Sequence, residues 1–361
     1  MKKLLSLALA LIMVLSMASV AFAAGESMTT WYTFNDDYLS SVRAAMSEAL
    51  KAKEVNNNDQ DANGVQATQI DQIQTAIANK VGVLIVNLVE SGSEGTAQSI
   101  LDSAKAADIP IVFFNRSLAE TEEGEKALLT GYEKAAYVGT VYTEAGIMQG
   151  KLIGEYVLAN YDALDLNGDG EISYVMLKGD EANLEAIART KYGQEEADKV
   201  LEAGGKKALK FYDANNADKY IVDQAGQWSV THGFDTLQNI LSQYNAENNN
   251  MVELVIANND AMAIGAVNAL VEKGYNTGEA DAKVIPVFGV DATPDAMDAI
   301  NAGKMTGTIK QDAVGMADAV ASIAANFLAG KPAFEGLNEN YVQIENWKVT
   351  IPYSMVSLDN K

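Results

Sequence analysis

Short apolar runs alternate with helix-length amphipathic segments along most of the chain. Val83-Leu84-Ile85-Val86-Asn87-Leu88-Val89, Asn87 apart, and Ile109-Pro110-Ile111-Val112-Phe113-Phe114 are apolar at successive positions, the pattern of strands buried on both faces. Between them, residues 95–107 have helical length and periodicity. The second half repeats the arrangement, with strands predicted at Tyr174-Val175-Met176-Leu177, Leu254-Val255-Ile256-Ala257, 284–290 and 306–310, and helices over 261–271 and 296–302. Thr293-Pro294 opens the last of these helices and Gly303 closes it. The fold class is therefore α/β, built twice, with parallel sheets flanked by helices. One place breaks the pattern. After an amphipathic helix over 38–51, where a second strand is due, the chain reads Asn56-Asn57-Asn58-Asp59-Gln60-Asp61-Ala62-Asn63. Either the first lobe has a short polar edge strand, or it is less regular than its partner.

The first 23 residues stand apart. Lys2 and Lys3 precede an apolar run over 4–20, and Ala21-Phe22-Ala23 fits an A-x-A cleavage site, so a secretory signal peptide cleaved after Ala23 is predicted, with an uncleaved anchor as the competing reading. Loss of the two lysines takes the net charge from −23 to −25. The expected location is the periplasm or the outer side of the cell envelope. At 361 residues, with 48% hydrophobic and 21% charged positions, the chain is long enough for two globular domains. Its acidity disfavours nucleic acid and anionic membrane surfaces as partners. Without Cys it has no disulfide, thiolate metal site or cysteine nucleophile, and His232 as the sole histidine excludes a two-His metal centre.

Neither G-x-G-x-x-G after a strand nor G-x-x-x-x-G-K-[ST] occurs, so dinucleotide and P-loop chemistry lack local support. The predicted strand ends carry Asn and Asp instead: Asn115, Asn258-Asn259-Asp260 and Asp291. Ligands of open α/β sheets bind beyond the carboxyl ends of strands, although Asn and Asp also cap helices and make turns. Amides and carboxylates together suit a neutral polyhydroxylated ligand, whose hydroxyls donate to Asp and accept from Asn or Arg.

Five separated segments carry a resemblance: Asp36-Asp37-Tyr38, Val112-Phe113-Phe114-Asn115, Ala188-Arg189-Thr190, Ile256-Ala257-Asn258-Asn259-Asp260-Ala261-Met262-Ala263 and Pro286-Val287-Phe288-Gly289-Val290-Asp291-Ala292. In order and over nearly the whole chain, they resemble the galactose/glucose-binding periplasmic proteins. The resemblance implies two Rossmann-like lobes, 24–139 plus 312–349 and 140–311 plus 350–361. Three hinge crossings near Thr140, Gln311-Asp312 and Thr350 would join them. It also implies a monomeric, non-enzymatic receptor that delivers D-galactose or D-glucose to an ABC importer or a chemoreceptor. Sugar hydroxyls would meet Asp36, Asn115, Arg189, Asn259, Asp291 and Gln311, with the ring sandwiched between Tyr38 and Trp228. Such a sandwich buries the apolar faces of a pyranose while polar groups take its rim. Where the family commonly has His and Asp before the Arg, this sequence has Asn183 and Glu185, which changes reach and leaves the sugar open.

Asp165-Leu166-Asn167-Gly168-Asp169-Gly170-Glu171-Ile172-Ser173 fits the D-x-[DN]-x-[DN]-G calcium loop. Asp165, Asn167 and Asp169 would supply oxygens, Glu171 a carbonyl, and Ser173 a further group. Met176 stands where an EF-hand has its bidentate Glu, and the resemblance implies Glu253 in that role, for a structural Ca2+. The competing functional reading is a secreted calcium-dependent glycosidase with Asp36 and Asp291 as paired carboxylates; the strand–helix units are too few for its usual barrel.

Overall fold

The structure, a computed structural model, describes residues 26–357; the leader and its cleavage after Ala23 lie outside the described residues. The chain opens with β1 (Ser27–Trp31), α1 (Asp37–Ala52), β2 (Asn57–Asp61), α2 (Gln66–Ala78), β3 (Val83–Val86), α3 (Glu94–Ala106), β4 (Ile111–Phe114), α4 (Glu122–Thr130) and β5 (Ala135–Gly139). It continues through α5 (Glu144–Leu164), β6 (Ser173–Lys178), α6 (Leu184–Ala203), β7 (Lys210–Phe211), β8 (Ile221–Val222), α7 (Val230–Leu241), β9 (Leu254–Ala257), α8 (Asp260–Glu272), β10 (Val287–Asp291), α9 (Pro294–Asn301) and β11 (Gly307–Lys310). It ends with α10 (Ala313–Leu328), β12 (Val342–Ile344), β13 (Lys348–Thr350) and β14 (Ser354–Ser357).

Two sheets result, ordered β12-β13-β5-β4-β3-β1-β2 and β14-β11-β10-β9-β6-β7, with β8 beside β6. All pairings are parallel except β12 with β13 and β14 with β11. Each sheet has apolar clusters on both faces, which is why its strands read as continuous apolar runs. The chain changes sheet between β5 and α5, between β11 and α10, and between β13 and β14. Thr350, expected to open the last segment of the second lobe, is instead the last residue of β13 in the first sheet.

The Asn-rich segment forms β2, a half-buried edge strand parallel to β1. Its side chains substitute for an apolar face: Asn57 Oδ1 accepts from Ser27 and Thr29 hydroxyls, and Asp59 Oδ1 accepts from the Trp31 indole. A polar edge also discourages pairing with other chains. Two strands start later than the apolar runs suggest. Ile109 bonds back to the carbonyl of Ala104 at the end of α3 and Pro110 has no N–H, so β4 begins at Ile111. Ile285 gives its N–H to Asn276 Oδ1, so β10 begins at Val287.

The helix pairs of the second lobe approach backbone to backbone. A Cβ on Gly146, Gly150 or Gly154 of α5 would lie 2.7 Å from Ala188 O, 2.5 Å from Tyr192 O and 2.6 Å from Val200 Cβ of α6. Gly233 and Gly265 play the same part between α7 and α8, against Met262 O and Val230 O. Gly150→Ala is therefore expected to destabilise the protein by about 1–3 kcal/mol through overpacking. Gly95→Ala, at a helical position with open space around it, should be neutral or mildly stabilising. Urea unfolding of the two variants checks this, and equal midpoints would refute close helix contact as the reason for the glycine stripe.

Candidate functional site

At the carboxyl ends of both sheets lies a narrow cavity of about 50 Å³ lined by Tyr32, Asp36, Tyr38, Asn115, Arg116, Asn183, Glu185, Arg189, Trp228, Asn259, Asp291 and Gln311. All ten residues singled out from the sequence as ligand contacts line it; Tyr32 and Arg116 were missed. Both of these follow strand ends, Tyr32 directly after β1 and Arg116 two residues after β4, and that position was the signal that could have found them. Through the same two residues the cavity meets an outer cleft of about 1430 Å³, where His232 lies.

Capping and lining coincide at three positions. Asp36 accepts from Leu39 N at the start of α1, Asn183 from Ala186 N at α6, and Asn259 from Met262 N at α8. Each anchors a helix N-terminus and so has its backbone fixed at the cavity wall. Asp36 also receives the Tyr32 hydroxyl at 2.7 Å. Tyr38 is buried against the first-lobe core and its hydroxyl donates to Met316 Sδ; burial pushes its pKa well above the usual phenol range. Trp228, from the other lobe, packs in the core cluster of that lobe while lining the cavity. Its φ is +56°, unusual for a bulky residue, and its carbonyl accepts from Asn259 Nδ2 at 3.0 Å. The indole lies on Gly179, where any Cβ would collide with it. Asn115 (φ +63°), Asp291 (φ +125°) and Ala292 (φ +55°) also hold left-handed backbone, a concentration of strain typical of binding sites.

Arg189 is 4% exposed. Its Nη1 donates to Asn258 O at 2.9 Å, and its Nη2 to Gln311 Oε1 at 3.0 Å and Tyr353 Oη at 3.3 Å. Asp291 Oδ1 stands 4.0 Å from Nη1. Burial works against this charge, but Tyr353, Asp291 and Glu185 outweigh it and move the pKa up. Glu185 is raised by burial, with Arg189 pulling the other way. Arg116 stacks on the Tyr32 ring at 4.2 Å, donates to Val89 O at 3.1 Å and lies 4.0 Å from Asp180 Oδ2 across the cleft. Three polar atoms of the lining are buried without a hydrogen-bond partner: Arg116 Nε, Glu185 Oε2 and Arg189 Nε. Buried polar groups are normally paired, so these mark where a polar ligand belongs.

Behind Asp291 is a second carboxylate. Asp260 is fully buried and accepts from Thr293 N at 2.8 Å, Thr308 Oγ1 at 2.6 Å and Thr293 Oγ1 at 3.4 Å. Burial raises its pKa to about 7 against these hydrogen bonds. Asp291 is raised well above the carboxylate range, chiefly by burial, with Arg189 opposing.

In the expected calcium loop, Asp165 accepts from Gly168 N at 2.8 Å and Gly170 N at 2.9 Å, Asn167 Oδ1 from Asp169 N, and Asp169 Oδ1 from Glu171 N. Glu253 reaches the loop as expected in sequence terms, accepting from Leu166 N at 2.7 Å and Ser173 N at 2.8 Å. Ser173 Oγ turns to Met251 O and Glu253 Oε2, while Lys210 lies 2.6 Å from Glu171 and 3.7 Å from Asp169. The oxygen donors suit a hard cation. Their geometry is a turn closed on its own amides, and among the described residues no three Asp, Glu or His side chains converge closely enough to hold a metal.

Two α/β lobes, linked by three crossings around a polar interlobe cavity, define a ligand-binding protein that works between its lobes. The chain belongs to the periplasmic binding protein family, whose domain matches residues 28–332. It is 35% identical over 96% of its length to 94% of the D-galactose/methyl-galactoside binding periplasmic protein MglB of Haemophilus influenzae. It is 29% identical over 100% of its length to 97% of a putative rhizopine-binding protein of Rhizobium meliloti. An ABC transporter periplasmic solute binding protein from Actinobacillus succinogenes, solved with D-allose, shares the fold at TM-score 0.69 and 20% identity, covering 93% of this chain and 98% of the other. Proteins of this family bind substrates for transport and are not enzymes, which sets aside the glycosidase reading. The homologues are periplasmic.

The buried carboxylates give a pH dependence of known sign. Asp260 has its folded pKa raised to about 7 from 3.8, so between those values the folded protein holds a proton that the unfolded chain releases. The contribution of this group to stability is therefore largest at low pH and falls as pH rises toward 7. Asp260→Asn should flatten the stability profile over that range in urea titrations; an unchanged slope would show that Asp260 is ionised throughout.

Proposed function

We propose that this protein is a sugar receptor of an ABC importer, binding one uncharged aldohexose, glucose or galactose, without altering it. The observation that carries this reading is the set of unpartnered buried atoms, Arg116 Nε, Glu185 Oε2 and Arg189 Nε, around one cavity. They are two donors and an acceptor, and vicinal hydroxyls answer both. The amides of Asn115, Asn183, Asn259 and Gln311 add acceptors and donors without charge, and Tyr38 and Trp228 supply aromatic faces from opposite lobes. The relative in Haemophilus influenzae named for D-galactose supports a hexose. Closure of the lobes on the ligand creates the surface that an ABC permease, and in the same reading a chemoreceptor, would recognise.

Calorimetric titration with glucose, galactose, ribose, allose and myo-inositol tests the substrate. Heat with glucose or galactose at one site per chain is expected; binding confined to ribose or inositol would refute the hexose. Trp228→Ala should weaken hexose binding by about 2–4 kcal/mol, the scale of a buried aromatic anchor, and unaltered affinity would leave Trp228 as core alone.

The same reading assigns a structural calcium ion to Asp165, Asn167, Asp169, Glu171, Ser173 and Glu253. Its support is the loop motif, the positive φ of Gly168 and Gly170, and the delivery of Glu253 to that loop from 80 residues downstream. To hold calcium, Asp169 must leave Lys210 and the loop oxygens must draw together. Free calcium at about one hundred times its dissociation constant would add about 2.7 kcal/mol, so chelation should lower the melting temperature and Glu253→Gln should abolish the chelator effect. A melting temperature indifferent to chelator removes the ion.

A further inference from the structure

Each of the three chain crossings contributes one polar side chain to a single hydrogen-bonded chain. Thr140 follows β5 in the first crossing, Gln311 follows β11 in the second, and Tyr353 lies between β13 and β14 in the third. Tyr353 Oη donates to Thr140 Oγ1 at 3.0 Å and accepts from Arg189 Nη2 at 3.3 Å, while the same Nη2 donates to Gln311 Oε1 at 3.0 Å. All four side chains are buried, at 4–6% exposure. Arg189 lines the cavity, and so does Gln311; Tyr353 and Thr140 do not.

We infer that the Tyr353 hydroxyl is the positioning group that couples ligand at Arg189 to the three crossings and so holds the lobes closed. The argument is geometric. Guanidinium nitrogens are fixed in one plane, so a ligand that binds Arg189 Nε fixes the direction of Nη2 as well. Nη2 in turn fixes Gln311 and, through the one hydroxyl that both accepts and donates here, Thr140. Beside the crossings the backbone pairs them two at a time: Ile351 N donates to Gly139 O at 2.9 Å, continuing β13 along β5 in one sheet, and Ser354 of β14 pairs with Lys310 of β11 in the other. Among the described residues, this chain of hydrogen bonds is what joins Thr140, Gln311 and Tyr353. A hinge needs a few residues that absorb backbone change, and a side-chain clasp across them favours one hinge state over another. The inference rests on the proposed binding of a hexose at Arg189.

Tyr353→Phe removes the hydroxyl and keeps the ring. One unpaired buried group is left on each side, at Thr140 and Arg189, and losses of this kind correspond to about tenfold in an equilibrium constant. Stopped-flow Trp fluorescence with galactose or glucose should show sugar dissociation about tenfold faster with association little changed, since the clasp acts after the sugar has entered. Small-angle scattering at saturating sugar should show less contraction than in wild type. Thr140→Val should have the same effects, and the double variant should be no worse than either single one. A purely structural role predicts instead a lower melting temperature with wild-type rates and full contraction, and that result overturns the inference while leaving the sugar reading intact. A wild-type protein that neither binds nor contracts with any hexose overturns both.

Discussion

A permanent charge at 4% exposure imposes conditions on everything around it. Arg189 can be buried only if its N–H groups meet acceptors and its charge meets an opposing one. The acceptors come from Asn258 after β9, Gln311 after β11 and Tyr353 before β14, with Asp291 at the end of β10 as the nearby carboxylate. Adjacent parallel strands must therefore end at the same level, and the last segment of the chain must return across the hinge to supply the phenol. That arrangement leaves Nε as the one face of the guanidinium without a protein partner. The site is what remains when the cost of burying Arg189 has been met.

The same economy appears at the helix starts. Asp36, Asn183 and Asn259 each use a side-chain oxygen to cap a helix, yet each lines the cavity. Capping and ligand contact are not alternatives, because a cap fixes the residue that a ligand must find in place. Strain serves a similar end: Trp228 and Asp291 hold left-handed backbone, and Gly179 beneath the indole and the Asp260 carboxylate bonded to Thr293 hold the neighbouring chain there.

How much of this was legible in the sequence depends on range. Strands β3, β4, β6 and β9 were visible because burial on both faces makes every position apolar, and α1, α8 and α9 because caps and periodicity are local. β2 was legible only as one of two alternatives, the short polar edge strand, since its side chains are held by hydrogen bonds to Ser27, Thr29 and Trp31 of β1, partners about 30 positions away. Of the ten lining residues named, Asn115, Asn259 and Asp291 could be read from the ends of apolar strands, whereas Asp36, Tyr38, Asn183, Glu185, Arg189, Trp228 and Gln311 came from the family resemblance. Arg116 was not singled out, and its placement depends on Tyr32 and Asp180 from remote segments. The loop at Asp165 was read from its motif as a set of cation donors, and in the folded loop the same oxygens accept from the loop's own amides.

The path of the chain between the sheets carries a kinetic consequence. The first sheet lacks β12 and β13, and the face of β3 to β5 that receives α10 stays bare, until residues beyond 312 are available; the second sheet lacks its edge β14 until the last described residues arrive. Contacts so distant in sequence form late. A ribosome making this chain would hold two incomplete half-structures until residues 313–357 had emerged. Both sheets therefore wait for the same late segment, and the interlaced architecture makes completion of the two lobes a single event.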